Sequence, residues 1–211
     1  MYVPPAFQVD RSTSLEFASS HGFGLACAFD GEKPIASPLP FVIDYARDGT
    51  PRLSCHVARG NPLVACADGR TSWLVAVNGP HTYISPHWYA SPDQVPTWLY
   101  QTVHLSGPAR TMSADELVDN LERLGAKFEA WLKPKPAWTI AEISSGRREM
   151  LLKAIVGIVV TVERVEGAFK LNQTKSDADA VSVADALSEQ KNSDAWALSA
   201  LLRARVAEPV S

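Results

Sequence analysis

Hydrophobic positions along the chain recur with two different periods, and the changes between them mark the elements. After Asp10 or Ser12, either of which can cap a helix, Leu15, Phe17 and Ala18 form a short apolar stripe that Gly22 ends. Residues 22–29 and 34–43 are apolar runs joined through Asp30-Gly31, a pair suited to the positive φ of a tight hairpin. Residues 52–58 and 71–78 read as further strands around a short helical piece at 62–68, and residues 97–110 as a fifth, long strand. At Ser113 the period changes. Ser113 and Glu116 have the spacing of a capping box, and Leu117, Leu121, Leu124 and Phe128 then recur at three- and four-residue steps. Pro134 and Pro136 stop this helix. Residues 155–165, rich in valine and isoleucine, predict a sixth strand ending at Glu166-Gly167, and two modest helices follow Asp177. Six strands in mostly antiparallel succession, with helices appended, favour a small closed β-barrel over a parallel α/β sheet.

Composition narrows the partners. Twenty Lys and Arg stand against 23 Asp and Glu, and no block of five or six like charges interrupts the chain. A duplex-binding protein needs a basic face to release counterions, and only Arg203 and Arg205 on the last helix offer a small one, so direct DNA binding is not expected. Cys27, Cys55 and Cys66 match neither a zinc pair nor a redox CxxC and read as reduced core thiols of a cytoplasmic protein. The N-terminal segment has no basic stretch followed by an apolar run, and no window approaches a membrane span.

The densest chemistry lies in two places. Residues 80–96 read as a long loop framed by Pro86, Pro92 and Pro96, with His81 and His87 within it and His104 beyond. No HxxxH or HExxH sets two imidazoles on one helix face, so no metal is expected, and no GxSxG elbow marks a nucleophile. The other place is Arg59-Gly60-Asn61-Pro62. It reads as a strand end, a guanidinium, a joint, an N-cap and a first helical residue, which puts unpaired amides beside Arg59 and suits a phosphate. An ordinary strand-to-helix turn has the same sequence. A helix terminus contributes about 0.3–1 kcal/mol and a charge-assisted hydrogen bond about 1.5–3 kcal/mol. Micromolar binding needs about 8 kcal/mol, so an aromatic ring must be buried as well, with Trp98 and Tyr100 as candidates to flank it. Residues 169–176 add amide, hydroxyl and ammonium groups that could meet a polar ring edge or form a solvated loop.

These segments together resemble the PaiB family of bacterial regulators. The resemblance rests on MYVPPAF at the start, Leu39-Pro-Phe41, His56-Val-Ala-Arg-Gly-Asn-Pro62, Gly79-Pro80, Tyr83-Ile-Ser-Pro86, Trp88-Tyr89, Val95-Pro-Thr-Trp98, Ala154-Ile-Val-Gly157 and residues 170–176. It implies a six-stranded antiparallel split β-barrel of the FMN-binding type over residues 1–176, with a helical extension over 177–211 packed on the same domain. It also implies a cytoplasmic homodimer holding FMN at the subunit interface and acting as a ligand-sensing negative transcriptional regulator. The cofactor residues it implies are His56, Val57, Arg59 and Asn61 at the phosphate, with Thr97, Trp98, Gln173 and Lys175 nearby. The family usually has Asn where this chain has Leu99, which would remove one polar contact to the cofactor. A flavin-dependent oxidoreductase, with His87 or Tyr89 as proton donor, is an alternative activity. Haem is an alternative cofactor, with His56, His87 or His104 as axial ligand.

Overall fold

The computed structural model describes residues 1–132 and 134–207, which fall into two compact units. The larger comprises residues 15–77 and 104–165; the smaller comprises residues 1–14, 78–103 and 166–207 of those described.

The larger unit holds the ring of strands. Its members are β2 (Phe23–Phe29), β3 (Pro34–Tyr45), β4 (Pro51–Ala58), the first part of β5 (Asp68–Ile84), the second part of β6 (Thr97–Thr111) and β7 (Ile155–Thr161). The order β6-β5-β2-β3-β4-β7 closes because β7 also pairs with β6, Ala109 opposite Val160 and Thr111 opposite Ile158. These are the six strands expected from the sequence. Alternation fills the ring: Leu53, Cys55 and Val57 on β4 and Trp73, Val75 and Val77 on β5 are all buried. Trp73 satisfies its indole N–H on the Cys66 carbonyl at 3.0 Å, so burying the ring strands no donor. The hairpin between β2 and β3 turns on Asp30, whose carboxylate accepts the amides of Glu32 and Lys33, and Gly31 has φ +103°.

Helix α2 (Ala114–Glu129) packs against β3, β4 and β7 through a face that includes Leu117 and Leu124. Its N-terminus is the expected capping box, with Ser113 Oγ accepting from Glu116 N and the Glu116 carboxylate accepting from Ser113 N. Arg110 grips the same carboxylate at 2.7 and 2.9 Å. Those bonds, Arg110's first, lower the Glu116 pKa from 4.5 to about 2. A carboxyl whose folded pKa is depressed adds stability above its unfolded pKa and loses it as pH falls through the folded value. Acid titration of Glu116→Gln against the parent should therefore show curves that differ above about pH 4.5 and converge between there and about pH 2. Both side chains are more than a third exposed, so the difference should be small, under about 1 kcal/mol.

The structure departs from the sequence reading at two places in this unit. Residues 145–154 form a helix, α3 (Ser145–Ala154), which the sequence did not announce. The run read as one strand over 155–165 breaks at Val162-Glu163, so β7 ends at Thr161 and a separate strand, β8 (Arg164–Lys170), follows.

In the smaller unit, β1 (Gln8–Val9) pairs with β8, Val9 opposite Gly167. Helices α4 (Asp177–Ser188) and α5 (Ser193–Ala207) pack on each other and, through Val183, Leu187, Leu198 and Leu202, share a core with Ile84, Tyr89 and Leu99. The loop expected over 80–96 is shorter than predicted, because β5 runs on through Pro80 to Ile84 and only residues 85–96 connect it to β6. Helix α1 (Arg11–His21) links the units in sequence. Among the described residues, no helix is long and apolar enough to cross a membrane.

Candidate functional site

Strand β4 carries His56, Val57 and, just past its end, Arg59 and Asn61. Its alternation turns Val57 into the core, so that side chain is out of a ligand's reach. His56 faces the other way, pairs in register with Gly157 on β7 and is half-buried, with Nδ1 enclosed and without a hydrogen-bond partner. Burial lowers its pKa below the ordinary imidazole value, so the ring is neutral at neutral pH.

Arg59 is exposed, but its guanidinium is tethered and not free in solvent. Its backbone N–H bonds to Ala154 O at 2.8 Å, Nε donates to Lys153 O at 2.6 Å and Nη2 to Ile155 O at 3.0 Å. The guanidinium thus closes the C-terminal end of α3, where carbonyls lack helical partners and the dipole favours a cation. Of its five N–H groups three remain for another acceptor.

Asn61 is the predicted N-cap. Its Oδ1 accepts from Leu63 N at 3.0 Å, and its Nδ2 donates to Ser37 Oγ at 2.8 Å. The element it caps is a five-residue 3-10 helix, Pro62–Cys66, the short helical piece expected over 62–68. The amides expected to be free are also spoken for: Asn61 N bonds to Ala58 O, Val64 N to Asn61 O, and Pro62 has none. Anion recognition at this corner therefore falls on Arg59.

Arg59 lines a cavity of about 580 Å³ between the start of α2, the end of α3 and β7, walled by Met112, Leu117, Leu152 and Val156 among others. Lys153 at its rim is paired with Glu149 at 2.9 Å, and Asp115 also lines it. Two cations and two carboxylates cancel, so the cavity as a whole does not attract an anion. Any attraction is local to Arg59.

The other four expected residues belong to the smaller unit. Thr97 Oγ1 accepts from Lys170 Nζ at 2.6 Å. Lys175 Nζ donates to Gln94 Oε1 at 2.6 Å and lies 5.4 Å from the Tyr89 ring centroid. Gln173 spends both ends of its amide inside its own turn, accepting from Leu171 N and donating to Phe169 O. Trp98 is 53% exposed and stands beside His81 and Tyr83, ring centroids 6.0 and 6.4 Å away, making an open aromatic surface on β5 and β6. Leu99, next along, points the opposite way and is fully buried, so the residue that departs from the family pattern belongs to the core. Tyr89 donates to Asn172 Oδ1, and burial, the main cause, raises its pKa.

Asp179 was not anticipated as an organiser of this region. Its carboxylate accepts from Ser91 N, Ser91 Oγ and Ser176 Oγ at 2.8–2.9 Å, tying the 85–96 connection to the start of α4. The spacing Ser176-x-x-Asp179 is a capping signal, and Asp179 N does bond to Ser176 Oγ, so the residue could have been found from sequence.

A closed ring of antiparallel strands with a capped turn after its third member is the architecture of the flavin-binding split barrels. Among solved structures the chain is similar to the FAD and heme binding protein of Mycobacterium smegmatis, with TM-score 0.54, 16% identity, and 77% of this chain and 73% of that one covered. It is also similar to a conserved hypothetical protein of Mycobacterium tuberculosis, with TM-score 0.50, 14% identity, and 82% and 92% covered. At such identities the likeness concerns the fold alone. The family described as "Putative FMN-binding domain" matches residues 1–164. "Protease synthase and sporulation protein PAI 2" of Bacillus subtilis (strain 168) is 32% identical over 211 residues, all of both chains. An uncharacterised protein of Emericella nidulans is 28% identical over 178 residues, covering 68% of this chain and 71% of its own. The chain belongs to the FMN-binding domain family that includes this Bacillus protein.

Proposed function

We propose that this protein is a cytoplasmic, homodimeric FMN-binding regulator that senses a small molecule and does not itself read DNA. The observation that carries the cofactor reading is Arg59, held at the end of β4 by two carbonyls with three N–H groups to spare on the rim of a cavity. That donor set fits a phosphate. A bound flavin would supply a redox-active ring; the chain's own residues supply its attachment. In this reading Arg59 binds the phosphate, with Asn61 fixing the turn and His56 beside it. Thr97, Trp98, Gln173 and Lys175, all in the smaller unit, enter this reading on the family resemblance alone. The regulatory part of the reading comes from the resemblance to the PaiB family of bacterial regulators. Three cysteines without disulfides are consistent with a reducing compartment.

The absorbance spectrum of the purified protein, before and after incubation with FMN and desalting, tests the cofactor. A retained flavin band is the expected result. A colourless protein after desalting would overturn flavin binding, and a Soret band in the fresh protein would favour haem.

A further inference from the structure

We propose that the cleft between α2 and the segment 137–141 binds a small organic cation, an ammonium group carried on an apolar or aromatic body. The inference stands apart from the flavin reading, and the whole cleft lies within the larger unit.

The cleft holds about 430 Å³, within the range of about 300–1,000 Å³ usual for small-molecule sites. Leu121, Gly125 and Ala126 of α2 form one wall, and Trp138 and Ile140 belong to the other. Gly125 is the residue that needs a reason. A glycine inside a helix costs stability relative to alanine, and here neither a positive φ nor a close neighbour requires one, since a Cβ would meet nothing within 4 Å. The space that a side chain would fill belongs to the cleft. The facing wall is held in place by hydrogen bonds to its backbone: Trp138 N donates to Glu129 Oε2 at 3.2 Å and Thr139 N to Glu142 Oε1 at 2.9 Å. Pro134 and Pro136 stiffen the chain that leads into it. The site is thus formed before a ligand arrives.

Charge selects the ligand. Glu122 lines the cleft, is exposed and pairs with no cation among the described residues, and Glu142, which holds the facing wall, pairs with none either. The nearby cations are engaged elsewhere: Lys135 with Glu129, Arg123 with Asp44 and Asp119, and Lys127 with the Ser19 carbonyl. A carboxylate or phosphate would meet repulsion here. An ammonium gains the Glu122 carboxylate and the indole of Trp138, because an aromatic face attracts a cation. The rest of the lining is apolar, which a hydrated inorganic cation cannot use. An ammonium on an apolar body satisfies both parts.

Titration of the full chain with phenethylammonium, 2-phenylethanol and phenylacetate, followed by ligand-observed NMR, tests the site with one ring and three charge states. The parent should bind the cation saturably, the alcohol more weakly and the anion not at all. Gly125→Leu puts a side chain into the cleft and should abolish saturable binding while melting no lower than the parent, a combination that misfolding cannot produce. Glu122→Gln should weaken the cation about threefold, as expected for an exposed ion pair, and leave the alcohol unchanged. Absence of saturable cation binding by the parent overturns the proposal, and so does equal binding of all three probes, which would make the cleft a plain apolar contact. Undiminished binding by a folded Gly125→Leu overturns it as well. Should that variant fail to fold, Ala126→Leu, at an exposed position of the same wall, decides in its place. None of these titrations uses FMN, so their failure and that of the flavin reading are separate results.

Discussion

Replacing Arg59 by alanine is expected to lower FMN affinity by about ten- to a hundredfold, read as the dissociation constant from flavin fluorescence titration. One charge-assisted hydrogen bond contributes about 1.5–3 kcal/mol, and each 1.4 kcal/mol is a factor of ten. The cavity's other charges offer no substitute, because Lys153 is held by Glu149. Alanine also removes the two bonds that close α3, so some thermal destabilisation should accompany the loss. Arg59→Lys separates the effects. Lysine keeps the charge but cannot hold two carbonyls while presenting a planar fork to a third acceptor, so its affinity should fall between parent and alanine. An unchanged dissociation constant in Arg59→Ala would mean that the guanidinium serves α3 alone and that the phosphate lies elsewhere.

What could be read in advance was whatever is enforced by neighbours in sequence. The box at Ser113 and Glu116, the cap at Asn61 and the six strands of the ring all announce themselves within a few residues. Helix α3 does not. Its sequence, SGRREMLLKA, has no sustained apolar stripe and none of its residues is buried, so its amphipathic signal is weak. The turn at Val162-Glu163 contains neither glycine nor proline, so the sequence pattern puts the strand's end at Glu166-Gly167 in its place. Gly167 instead lies inside β8, and it is a glycine there because a Cβ would collide with Ser14 Oγ and Val9 Cβ, where β1 and the start of α1 press close. The site shows the same division. That Arg59 matters was legible from its place before a capped turn, whereas its bonds to Lys153 O and Ile155 O join residues more than ninety apart. No local pattern encodes such a contact.

Gly107→Ala should be the most damaging single-methyl change in the ring. A Cβ at Gly107 would sit 1.9 Å from the Thr161 carbonyl oxygen and 3.1 Å from Glu163 N. Both are backbone atoms, so no side chain can swing aside. Relief requires β6 and the end of β7 to separate at the pairing that closes the ring, where Glu163 N also bonds to Ser106 O at 3.0 Å. Overpacking of a buried site costs about 1–3 kcal/mol and sometimes more, and an obstruction made of backbone belongs at the upper end. At about 3 kcal/mol, a chain of this size should lose roughly 6–12 °C in Tm. Gly125→Ala supplies the opposite sign from the same chemistry. It lies inside α2, where an added Cβ meets nothing within 4 Å, and alanine should raise stability by about 0.5–1 kcal/mol. Thermal melts of the two variants beside the parent therefore test the ring's closure directly: Gly107→Ala melting within a degree of the parent would mean that β6 and β7 are not paired there.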